Sequence, residues 1–225
     1  MEKKKKLSIS IALVVILALF GSVLAYLFAS SGANNEIKVT NANASIDEEF
    51  DGSNLKQGYN VYKKTVPVKN SGENPCFVRV YMDFSDSSVI NSADAQTYFS
   101  NEENKPAASP VSNAWKIASG KEWLKGNWVY VDDNGNVVYV DDKGNVVNGS
   151  GSVNLGLSGY YYYIVPVQPG ESTEPLIRWV MTYFEGTVKV YDILVYTETV
   201  QTVGIDGTDY STNWADAWKA YLHIN

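Results

Sequence analysis

The side chains able to carry out chemistry in this chain are few, and their scarcity bounds what it can do. Histidine occurs once, at His223 near the C-terminal end, and cysteine once, at Cys76. A His-Glu-x-x-His zinc site needs two histidines on one helix face, so it is excluded. A Ser-His-Asp triad would have to recruit its base from a fraying terminus. One cysteine permits no intramolecular disulfide. Between Pro75 and an apolar run, Cys76 is expected as a small buried hydrophobe. Asp132, Asp133, Asp141 and Asp142 form two acidic pairs within a near-repeat. A calcium loop of the EF-hand kind needs alternating oxygen ligands, an invariant glycine and a closing glutamate. That pattern is absent, and the aspartates read as hairpin-turn residues. No catalytic residue, metal ligand or cofactor is expected.

The remaining chemistry is aromatic: six tryptophans and 16 tyrosines, with Tyr160 to Tyr163 consecutive. Amphipathic rings can stack on a ligand or fill a core. Core filling is the expectation here, and an exposed planar row of rings would point to binding.

The elements that must position these residues read as strands. In Phe77 to Phe84, Val78, Val80, Met82 and Phe84 alternate with Arg79, Tyr81 and Asp83, the signature of a half-buried strand. Val61 to Val68 is β-prone, and Pro67 places it at an edge or bulge. Ser85 to Ser112 reads as a long loop with a short helix near Ala93 to Phe99. Val129 to Val137 is nearly repeated by Val138 to Val146, with turns at Asn134-Gly135 and Lys143-Gly144, which predicts a hairpin or small meander. Tyr160 to Val167 is a strand whose tyrosines face alternately in and out. Leu176 to Phe184 is apolar, and Thr187 to Val203 is a long β-prone run whose phase breaks near Asp192, suggesting a bulge. In Trp214 to Leu222, positions 214, 218, 221 and 222 share a helical face, with Ser211 or Thr212 available as cap. The fold class is therefore all-β: an antiparallel sandwich with loop insertions and a short C-terminal helix.

The N-terminal end differs in kind. Lys3 to Lys6 precede an apolar run from Leu7 to Phe28. Cations hold such an end on the cytoplasmic side of a bilayer while the run inserts. Ile9 to Phe20 has the length of a signal-peptide core, and Val23-Leu24-Ala25 is a cleavage site, with the cut between Ala25 and Tyr26. Ser31-Gly32-Ala33 offers a second cut. The whole run to about residue 30 is also long enough to stay as an anchor. The expected organisation is a signal segment 1–25, an extended arm and first strand 26–60, and a sandwich 61–225 with a hairpin insertion at 127–150. The full chain carries 18 basic and 25 acidic residues, a net charge of −7. Removing residues 1–25 leaves 14 basic and 24 acidic, a net charge near −10. Such a chain repels phosphate backbones, so nucleic acid is not an expected partner. The expected location is secreted or cell-surface, with membrane contact only through the signal segment.

Four sets of residues resemble the camelysin/TasA family of exported Gram-positive proteins. They are the signal end Gly21 to Phe28; Leu55-Lys56-Gln57-Gly58 followed by Val66 to Gly72; the strand Phe77 to Val80; and Tyr160–Tyr163 with Pro169 to Thr173 and Tyr196 to Gln201. Gln57 stands where the family commonly has proline, and the Val129–Val146 repeat looks like an insertion. The resemblance implies a jelly-roll sandwich, processing by a SipW-type signal peptidase, and assembly into matrix fibres by β-strand addition. On that basis Ile37, Lys38, Val39 and Thr40 are the candidate donor strand. A structural protein of the matrix is the leading expectation. A surface adhesin or glycan-binding module is the alternative. A metallopeptidase activity follows only from a label the family carries, and the zinc motif it needs is missing.

Overall fold

The computed structural model describes residues 44–46, 49–50, 55–109, 111–141, 143–155 and 159–224. All of them belong to one compact unit, Ile37–Asn225. The segment 1–25, the Ala25–Tyr26 junction and the candidate donor strand Ile37 to Thr40 lie outside the described residues.

Alternating side chains build two antiparallel sheets that pack face to face. One sheet has the order β2 (Glu49–Phe50), β3 (Gly58–Thr65), β12 (Trp179–Phe184), β6 (Ala95–Ser100) and β7 (Lys116–Ile117). The other has the order β10 (Val146–Ser152), β9 (Asn136–Val140), β8 (Trp128–Val131), β11 (Tyr160–Val167), β5 (Cys76–Phe84) and β13 (Ile193–Gln201). A short ladder joins β1 (Ala44–Ile46) to β4 (Val68–Asn70). The described residues form an all-β sandwich with one short α-helix, as the residue pattern predicts. Pro67 sits between β3 and β4, where the chain leaves one ladder for another and a missing N–H costs nothing.

The core between the sheets takes one parity from the central strands of each sheet. Val78, Val80, Trp128, Tyr161 and Tyr163 face Tyr62, Phe99, Val180 and Phe184. Trp123, from the segment between β7 and β8, meets Phe99 edge-on at 5.1 Å and Tyr161 at 5.1 Å. Such ring pairs add about 0.5–1.5 kcal/mol each beyond burial.

The opposite parity of the six-stranded sheet is also covered. Helix α1 (Trp214–Leu222) lies on it, burying Trp218 and Ala217 against Phe77, Val129, Val131 and Tyr162. The four tyrosines therefore alternate as expected, with Tyr161 and Tyr163 in the inner core and Tyr160 and Tyr162 toward the helix.

Four sequence expectations need correction. The helix is capped by Asn213, whose side chain accepts from the Asp216 N–H, not by Ser211 or Thr212. Residues 95–100 form strand β6 rather than a short helix; Ala95, Thr97 and Phe99 alternate inward, a period of two within a polar stretch. Thr187–Val203 is not one bulged strand: β13 begins at Ile193, and residues 187–192 lead into it without pairing as a strand. Arg79 is not on a solvent face but is 2% exposed, because the helix covers it.

Candidate functional site

β13 is the outermost strand on its side of the six-stranded sheet and, among the described residues, pairs with β5 alone. The Ser85 N–H donates to the Asp192 carbonyl at 3.0 Å, and the Thr202 N–H to the Pro75 carbonyl at 3.1 Å. Both contacts fall on even-numbered residues at the two ends of one ladder. Because the bonding side alternates residue by residue, the backbone groups of Ile193, Val195 and Thr197 point away from β5. Their side chains face inward, while Leu194 and Tyr196 are 37% and 41% exposed on the outer face. Strand β1 packs beside β13. Ala44 is the first residue of β1 and packs partly buried against the inner core. A long outer strand is a template for another strand.

Behind that edge is a charge cluster that sequence reasoning missed. Arg79 lies opposite Glu198 across β5 and β13 and forms an ion pair with it. Its guanidinium also sits 4.2 Å from the Tyr160 ring and 4.5 Å from the Trp218 ring, with Tyr162 Oη 3.5 Å from Nη1. A planar guanidinium can stack and hydrogen-bond at once, so one residue ties β13, β5, β11 and α1 together. The only sequence sign was an arginine between valines in a strong strand pattern.

The acidic repeat is occupied with its own turns. Asp132 accepts hydrogen bonds from the backbone N–H of Asn134 and of Asn136, at 2.9 and 2.8 Å. Asp141 does the same for Lys143 and Asn145, both at 2.9 Å. In each turn a glycine with positive φ, Gly135 at 78° and Gly144 at 80°, closes a three-residue loop. Bonds from Asn136 hold the Asp132 carboxyl below its ordinary range, and bonds from Asn145 do so for Asp141. The repeat is the meander β8–β9–β10. Asp142 lies outside the described residues, and among those described no group of three or more His, Cys, Asp or Glu side chains comes together.

The other reactive groups are held inside. Cys76 is fully buried, and burial pushes its thiol up to about 12. His223 is exposed and ends α1 in a left-handed conformation, φ 56°. Lys64 is 2% exposed on the inward parity of β3, and burial lowers its ammonium to about 8 against the attraction of Asp192. Tyr62 and Tyr191 share a hydroxyl–hydroxyl bond of 2.7 Å in the core, and burial raises both phenols. Lys121 reaches Tyr161 Oη at 3.0 Å and lies 4.0 Å from the Tyr130 ring centroid. A cleft of about 450 Å³ opens between the segment that follows β6 and the β9–β10 turn, lined in part by Asn101, Glu102, Glu122, Lys125 and Asp141.

No family model matches this chain, and neither does any curated protein or solved structure. The camelysin/TasA resemblance therefore stands on its motifs, and the fold places those that fall among the described residues. Val66 to Gly72 spans the crossing into β4, Phe77 to Val80 lies in β5, Tyr160–Tyr163 in β11, and Tyr196 to Gln201 in β13. Phe77 to Val80, Tyr160–Tyr163 and Tyr196 to Gln201 thus lie in the six-stranded sheet that ends at β13. No helix among the described residues is long and apolar enough to cross a membrane.

Proposed function

We propose that this is an exported structural protein of the cell surface or extracellular matrix that self-associates by β-strand addition. The N-terminal segment of one copy, with Ile37, Lys38, Val39 and Thr40 at its centre, pairs with β13 of the next. The observation that carries this is the juxtaposition at the sheet edge: β13 directs the backbone groups of Ile193, Val195 and Thr197 outward, and β1 delivers the chain beside it. Alternating Ile37 and Val39 suit a strand with one apolar face. Repeated head-to-tail, such a contact does not close on itself and builds a filament. The lysine block and apolar run support export, with a SipW-type signal peptidase as the processing partner. In this scheme the cut at Ala25–Tyr26, or near Ala33, also sets the free length of the donor arm.

The test is electron microscopy of the exported protein at rising concentration, with N-terminal sequencing of the same sample. Two variants separate donor from acceptor: one beginning at Ala44, and Val195→Pro. The proline removes an N–H that points away from β5, so the β5 ladder survives. Filaments that disappear in both variants while circular dichroism stays unchanged support the reading. Filaments that persist unchanged without the arm would sink it.

A further inference from the structure

Tyr59 and Tyr183 lie directly opposite each other on β3 and β12, with ring centroids 4.7 Å apart and ring planes tilted by 36°. Opposite residues on antiparallel strands hold their Cβ atoms about 4.5–5.5 Å apart, so the backbone sets this approach. The pair sits one rung from the end of its ladder, where Gly58 starts β3 and pairs with Phe184, the last residue of β12. Tyr59 is 36% exposed and Tyr183 is half-buried, so both rings have access to solvent.

Other tyrosine pairs among the described residues combine closeness and access less well. Tyr130 and Tyr161 are 5.2 Å apart, but Tyr161 is buried and its hydroxyl receives the Lys121 ammonium. Tyr62 and Tyr191 are both in the core. On the other sheet, the Tyr81 ring is 5.5 Å from Tyr160 and 6.3 Å from Tyr196. The competing targets of an oxidant are withdrawn near this pair: Cys76 and Met181, two positions before Tyr183, are fully buried.

Two phenols held in this way can be joined by a bond between the carbons ortho to their hydroxyls. Rotation about Cβ–Cγ turns the ring edges together without moving the centroids, whose spacing is close to that of directly bonded rings. Each phenol gives one electron and one proton to the oxidant, and hydrogen peroxide accepts them and leaves as two waters. The two radicals couple. Each coupled carbon then releases its hydrogen as a proton, and each oxygen regains one.

We propose that Tyr59 and Tyr183 form an oxidative cross-linking site, joined as dityrosine by a catalyst of the haem-peroxidase class with hydrogen peroxide. The bond ties the start of β3 to the end of β12 and closes the whole stretch of chain between them. That constrains the unfolded state as a disulfide does, in a chain whose single cysteine permits no internal disulfide. It involves one copy of the chain, so it is independent of strand addition.

The test treats the full chain at high dilution with a haem peroxidase and hydrogen peroxide. Expected are dityrosine fluorescence, an intact monomer lighter by two hydrogens, and a digest in which the Tyr59 and Tyr183 peptides are joined. The thermal midpoint of the product should rise by roughly 10 °C. Tyr59→Phe and Tyr183→Phe keep the ring but leave no phenol to oxidise, so each should abolish the joined peptide. Tyr196→Phe, on the other sheet, should leave it unchanged, and circular dichroism of the untreated variants checks the fold. Absence of dityrosine overturns the proposal, as does a digest that joins Tyr59 to Tyr98, or Tyr81 to Tyr160, in place of this pair. A product made only of cross-linked copies overturns it too, and a joined peptide without a higher midpoint overturns its role as a staple.

Discussion

The outer faces of the two sheets are both built from aromatic-rich strands, yet they are covered to different extents. On the six-stranded sheet, Phe77, Arg79 and Tyr162 point outward and are at most 2% exposed, because α1 lies over them. On the five-stranded sheet, Tyr59, Tyr98, Tyr183 and Trp179 occupy equivalent outward positions and remain partly exposed. Strand composition did not decide this. A nine-residue helix did, with Arg79 as the anchor beneath it. An outward aromatic on a strand therefore means core or contact surface according to what arrives later in the chain.

The contrast is broken most directly at the helix. Trp218→Ala should cost about 3–5 kcal/mol, the usual range for deleting a buried tryptophan, measured by urea unfolding. A loss below about 1 kcal/mol would show that α1 does not close the face. The outward side of the five-stranded sheet has its own buried member: Met181→Ala should cost about 2–4 kcal/mol, and Tyr59→Ala less than about 1 kcal/mol. Equal costs would mean that Met181 is not packed as its full burial indicates.

Two buried cations sharpen the contrast. Arg79→Ala strands Glu198, which is 22% exposed and can be partly rehydrated, so about 2–3 kcal/mol is expected rather than the full cost of breaking a buried pair. The double variant Arg79→Met/Glu198→Leu should be more stable than Arg79→Ala, because it removes both charges at once. Lys64, on the inward side of the other sheet, is the weaker case. Its ammonium is lowered to about 8 from 10.5, with burial outweighing the attraction of Asp192. A folded value below the unfolded one is a penalty, present in full below about pH 8. It is relieved as pH rises toward 10.5, where the unfolded chain gives up the same proton. The stability change on Lys64→Met should therefore include a gain at pH 7 that shrinks toward pH 10, beside what the ammonium's own contacts contribute. Denaturant curves at pH 7, 8, 9 and 10 read this directly, and a gain independent of pH would reject it. Above about pH 10, Tyr62, Tyr161 and Tyr191 oppose any further rise, since burial raises their folded values and unfolded tyrosines ionise first.

Much of the fold could be read because period-two alternation and turn chemistry are local. The β8–β9–β10 meander follows from two Asp-Asp-x-Gly turns, each closed by a glycine at positive φ. The alternation of Tyr160–Tyr163 follows from strand geometry alone. β6 escaped because its alternation is written in Ala95, Thr97 and Phe99, too weak a hydrophobic signal among polar neighbours. The phase break near Asp192 was real, but it marks the start of β13 rather than a bulge inside it. Of the candidate site, Ile37 to Thr40 came from alternation and resemblance, while the edge that would receive it could not be read, because strand order is a long-range property.

The sequence by itself determined an antiparallel sandwich, its turns, its C-terminal helix, and the scarcity of histidine and cysteine, because these depend on residue type and near neighbours. Only the tertiary structure decided that, among the described residues, β13 ends its sheet beside β1, that Arg79 is buried under α1, and that Tyr59, Tyr98, Tyr183 and Trp179 stay partly exposed. Each of those depends on residues far apart in the chain: Arg79 meets Glu198 119 positions away. Alternation tells a strand that it has two faces, and only the packing of distant elements tells each face what it meets.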